Sequence, residues 1–150
     1  MKPSDVKQLL INAGISPNSL MFALAQACFE SGGITFTSAV NIESNNLTGI
    51  EFLNAPFQKN AVAGSPMPLA DTGGKLCHYA KFATLQDWAN DFKRIVHAQF
   101  AQNQDGRPID AATLGEYVHR LKLNGYFGGP EDQYLEGLTR YLNELKTMGV

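Results

Sequence analysis

"LAQACFESGG", residues 24–33, decides how this chain is read. A run of small and apolar residues carries one acid, Glu30, and two glycines then stop it. Upstream, Leu20, Met21, Phe22 and Ala23 extend the apolar run, and Ser16 followed by Pro17 is a cap with a first-turn proline. The spacing predicts a helix from there to about Glu30. It is apolar nearly all round, and such a helix belongs at the centre of a fold. Its last residue is the anomaly. The negative end of the helix dipole and burial among apolar neighbours both disfavour an ionised carboxylate. A carboxyl group that keeps its proton near neutral pH suits a general acid, which must protonate a leaving-group oxygen. The plainer alternative is a solvent-exposed glutamate on a last helical turn.

Working outward, helix signals recur on both sides. Ser4 is placed to cap a first helix with Val6, Leu9, Leu10 and Ala13 at helical spacing, ended by Gly14. Thr84 and Asp87 form a capping box ahead of the stripe Leu85, Trp88, Phe92, Ile95, Val96 and Phe100. Asp110 is the expected cap of a helix with Leu114, Tyr117, Val118 and Leu121, ended by Asn124–Gly125. Pro130 opens a last helix with Tyr134, Leu135, Leu138, Tyr141, Leu142 and Leu145 on its core face. Between the helical parts, residues 34–82 are rich in Asn, Gly, Pro, Thr and Ser. "GITFTSAV" and "CHYAKF" read as short extended pieces, and "DTGGK" as a hairpin turn. The expected fold class is α+β, mainly α: one domain over residues 1–150, with a helical body and a small β lobe around residues 34–82.

Composition narrows the function classes. The chain has 150 residues and a net charge of −2 from 12 basic and 14 acidic residues, which lacks the basic field of a nucleic-acid binder. No apolar run is long enough for a membrane span. The start, "MKPSDVKQLL", has no apolar core of a secretory signal. Cys28 and Cys77 are too few for a disulfide scaffold. Two semi-buried thiols are the expected state, with a single bridge left open. No metal-ligand spacing occurs, so no metal and no cofactor is expected. His97 and His119 read as surface residues, and His78 as a residue of a candidate strand near the lobe.

Two further stretches carry chemistry. In "NIESNNLTGI", residues 41–50, consecutive Asn45 and Asn46 can each donate and accept hydrogen bonds, as the acetamido and hydroxyl groups of an amino sugar require. The alternative is a polar loop that satisfies its own backbone. In "NGYFGGPEDQY", residues 124–134, Tyr126 and Phe127 lie between glycines with no helical face to bury them. Loop aromatics so placed either stack on ligands or fold back on the core.

In order and spacing, "ALAQACFESGG", "NNLTGI", "YAKFATLQDWANDF" and "LKLNGYFGGPEDQY" resemble the bacterial endo-β-N-acetylglucosaminidases of the autolysin and flagellar-muramidase type. The resemblance spans about residues 16–145. It implies a lysozyme-like fold and hydrolysis of the peptidoglycan bond after N-acetylglucosamine, with glycan strands as partner, a monomeric protein and action at the bacterial cell wall. Without a signal, delivery falls to phage lysis, a secretion system or a longer parent protein. The resemblance makes Glu30 the essential acid, matches Asn45 and Asn46 to the paired asparagines of the family, and places Tyr126 on the loop beside the cleft. Phe127 joins it as a substrate-binding candidate. The sequence departs from the pattern in the lobe. Many members carry a second Glu there after a Thr, whereas between Phe52 and Phe82 this chain has one acid, Asp71. Asp71 is therefore the first candidate for a second catalytic carboxylate, with Glu51 and Glu43 behind it. A muramidase, a lytic transglycosylase and a non-catalytic glycan-binding module are the competing readings.

Overall fold

The structure is a computed structural model and describes residues 1–56, 58–67, 76–95 and 109–150. Asp71, His97, Val96, Phe100 and the "DTGGK" turn lie outside the described residues. Among those described are six helices and a two-stranded antiparallel sheet, which is the mainly helical α+β class read from the sequence.

Helix α1 spans Pro3–Ala13. It begins ahead of Ser4: Pro3 supplies the preset first-turn φ, and Asp5 accepts a hydrogen bond from the Lys2 backbone N–H at 3.0 Å. Helix α2 spans Leu20–Glu30 and starts four residues later than Ser16. Residues 16–19 instead close a turn, and the Ser16 hydroxyl bonds Asp110 at 2.6 Å, so neither side chain caps a helix. Helix α2 is central as expected, with Ala23 to Cys28 buried. It packs on α1 and on the last helix, α6, Glu131–Thr147, which opens after Pro130. Gly32 (φ +84°) and Gly33 (φ +108°) end α2 in a conformation that side chains with a Cβ rarely adopt.

Two helices complete the body. Helix α4, Leu85–Phe92, opens with the Thr84–Asp87 capping box and buries Trp88 and Phe92, whose rings stack at 5.3 Å. Helix α5, Leu114–Leu123, is capped by Thr113 rather than Asp110 and packs on α6.

The lobe is less regular. Strands β1, Ala61–Pro66, and β2, His78–Phe82, pair antiparallel, and the register breaks between Ala63 and Pro66. Gly64 lies in that break, where a Cβ would come within 2.9 Å of the Tyr79 carbonyl oxygen. "GITFTSAV" contains no strand. Its end instead begins a short helix, α3, Ala39–Ser44, because Ser38 accepts from the Asn41 N–H and caps it. Cys28 and Cys77 are not joined by a disulfide. No helix among the described residues is long and apolar enough to cross a membrane.

Candidate active site

A cleft of about 340 Å³ opens between the body and the lobe. From the body come Glu30, Ile95, Tyr126, Phe127 and Tyr134; the lobe side contributes Thr48 to Glu51, Leu53 and Met67. Glu30 reaches it because α2 stops there. The residue keeps partial exposure, while its carboxylate is ringed by donors. Tyr134 donates to Oε1, and Gln26 Nε2 donates to the same oxygen at 3.2 Å. The Tyr126 hydroxyl lies 2.5 Å from Oε2 and 3.0 Å from the Thr48 carbonyl oxygen, so its one proton has two acceptors. When Glu30 is ionised, Tyr126 donates to it. When Glu30 is protonated at Oε2, Tyr126 can accept that proton and turn its own towards Thr48.

Burial pushes the Glu30 carboxyl up to about 7 from an ordinary 4.5; the bonds from Tyr126, Tyr134 and Gln26 favour the ionised form and hold the rise back. The group is thus poised to hold and release a proton near neutrality. Tyr117, Tyr126 and Tyr134 move well above 10, first through burial and then through the nearby Glu30 charge, so they act as neutral donors.

The paired asparagines bond backbone groups of the lobe and of the turn that leaves it. Asn46 is buried: Nδ2 donates to the carbonyls of Ile50 and Ala80 at 2.9 Å each, and Oδ1 accepts from the Ile50 N–H. Asn45, in the left-handed region at φ +49°, donates to the carbonyls of Phe82 and Ala83. Neither lines the cleft. In this structure the amides bond backbone groups and shape the 47–51 segment, whose Thr48, Gly49, Ile50 and Glu51 form the wall.

Tyr126 and Phe127 both line the cleft, but not as free stacking platforms. Tyr126 holds Glu30. One face of Phe127 stacks on Tyr134, with centroids 4.0 Å apart and planes 6° apart, and Lys122 Nζ lies 5.1 Å from the same ring. Lys122 also donates to the carbonyls of Phe127, Gly128 and Gly129 and clamps the loop.

Of the second-carboxylate candidates that are described, Glu51 lines the cleft, while Glu43 is held by the Ser65 hydroxyl at 3.0 Å on the exposed side of the lobe. His78 is not on the wall; its Nδ1 bonds the Gly64 carbonyl at 2.9 Å and fastens β2 to β1. His119 pairs with Glu131 at the surface. Among the described residues, no group of three His, Cys, Asp or Glu side chains could hold a metal ion.

Sequence reasoning missed four contributors, among them Tyr134, read as a core residue of the last helix but donating to Glu30. Gln26 and Tyr117 lie behind Glu30, and Thr48 joins both walls: its hydroxyl accepts from Trp88 Nε1 at 3.1 Å and its carbonyl from Tyr126. Gln26 carried a usable signal, as the lone amide in an apolar helix one turn before Glu30, since a buried polar group needs a partner. No family model, no curated protein and no solved structure matches this chain.

Proposed function

We propose that this chain is a peptidoglycan glycosidase of lysozyme-like fold, an endo-β-N-acetylglucosaminidase, with Glu30 as its general acid. The observation that carries the reading is the Glu30 carboxyl, ringed by Tyr126, Tyr134 and Gln26 on the wall of a cleft of about 340 Å³, where burial pushes it up to about 7. The order of the four motifs and their resemblance to the glucosaminidases support it. In this reading Glu30 delivers its Oε2 proton to the glycosidic oxygen as the bond breaks. The positive charge that develops on the sugar needs a carboxylate across the cleft, either to stabilise it or to activate water. Asp71 is the first candidate for that role from the sequence, and the position of Glu51 on the cleft wall supports it as the second.

The test is digestion of purified peptidoglycan with identification of the products by mass spectrometry. The proposal expects new reducing ends on N-acetylglucosamine. Reducing-end N-acetylmuramic acid would make it a muramidase, anhydro-muramic ends a lytic transglycosylase, and wall binding without cleavage a glycan-binding module.

A further inference from the structure

The cleft residues do not hold Glu30 alone. One turn earlier on α2, Gln26 is fully buried and donates from Nε2 to Glu30 Oε1. The other end of the same amide is held from α5, where the buried Tyr117 hydroxyl donates to Gln26 Oε1 at 2.6 Å. A carboxamide is asymmetric: one end only donates and the other only accepts. By occupying the oxygen, Tyr117 aims the NH2 group at Glu30. That group can bond a carboxylate but cannot accept a proton from a carboxylic acid, so it favours the ionised form. Turned over, the amide would present an acceptor and favour the protonated form.

The orientation also distinguishes the two carboxyl oxygens. Oε1 takes two donors, from Gln26 and Tyr134. Oε2 takes one, from Tyr126, whose proton has Thr48 as an alternative acceptor. The transferable proton therefore belongs on Oε2. The titratable groups around Glu30 among the described residues are Tyr117 from α5, Tyr126 from the loop and Tyr134 from α6, and Glu51 lines the lobe side of the same cleft.

Resting on the reading of Glu30 as the acid, we propose that Tyr117 and Gln26 are a positioning pair: Tyr117 fixes the Gln26 amide, and the amide fixes which oxygen of Glu30 carries the proton and how readily it leaves. Neither touches the substrate.

The test is a ¹³C NMR titration of the Glu30 carboxyl in the wild type, Tyr117→Phe, Gln26→Met and the double variant, alongside the pH profile of glycan cleavage. In Tyr117→Phe the Gln26 amide is released to turn over, and loss of its hydrogen bond to the charged form should raise the Glu30 midpoint by about one pH unit. The limb of the activity profile at which Glu30 loses its proton should move up equally. Gln26→Met should raise the midpoint as well, and adding Tyr117→Phe to it should move the midpoint no further. An unshifted midpoint in a folded Tyr117→Phe, or additive shifts in the double variant, would overturn the pair; Gln26→Met decides alone if Tyr117→Phe does not fold. The titration needs no substrate. A shifted midpoint in a protein that cleaves no glycan therefore sinks the glycosidase reading and leaves the pair standing.

Discussion

The two walls of the cleft are built by different means. The body wall rests on helices whose apolar stripes interlock, with Leu24, Ala27, Trp88, Tyr117 and Leu138 wholly buried. The lobe wall has two short strands with a broken register and makes up the difference with side-chain amides: Asn41, Asn45, Asn46 and Gln58 all bond backbone groups of the lobe or of the turn that leaves it. Hydrophobic burial is non-directional and supports a rigid block, whereas amide-to-backbone bonds are directional and fix the path of a loop. The rigid block surrounds one carboxyl group with a fixed set of donors, and the loop wall sets the shape a substrate meets.

The difference can be broken from the body side first. Glu30 has a raised pKa in the folded protein, so the folded state binds more protons than the unfolded one between pH 4.5 and about 7. Stability from this group is therefore fully present below about pH 4.5 and is lost as pH rises through about 7. At 1.36 kcal/mol per pH unit, the rise from 4.5 to about 7 amounts to about 3 kcal/mol. Urea unfolding at pH 4.5 and pH 8 should show a decline of that order from this group in the wild type, absent from Glu30→Gln. Equal declines in both proteins would place the carboxyl in a wetter setting than the one described.

The lobe side is sharpened by Asn46→Ala. It removes the side-chain partner of the Ile50 N–H and of the Ala80 carbonyl, leaves the Ile50 carbonyl with the Ala80 N–H alone, and should cost about 2 kcal/mol. The loss should be local. Hydrogen exchange should quicken at Ile50 while the amides of α2 stay protected. Unchanged protection at Ile50 would mean that the amide does not hold the wall.

The same contrast explains what the sequence made legible. Helical periodicity found α2, α4, α5 and α6, because their burial depends on a repeat that is visible locally. Their starts were less legible: Ser16 and Asp110 are good caps in isolation, but here they bond each other across 94 positions of chain. The lobe was legible only as a zone. "GITFTSAV" has the β-branched composition of a strand, yet Ser38 diverts its end into α3. Glu30 stood out because a helix that is otherwise apolar has no reason to end on an acid. The asparagines were noticed for the right property, their double hydrogen-bonding capacity, but sequence does not show that backbone groups from β2 come first. The Tyr117–Gln26 contact joins residues 91 positions apart and left no local trace beyond the lone amide itself.

The central claim is that Glu30 supplies a proton to a breaking glycosidic bond, and one comparison tests it most directly: the rate at which the wild type and Glu30→Gln release new glycan ends from purified peptidoglycan. Glutamine keeps the size of the side chain and accepts a hydrogen bond, but it has no acid proton to give. The account predicts a loss of ~10²-fold or more in rate with the fold retained. Cleavage by Glu30→Gln at a rate close to that of the wild type would contradict it.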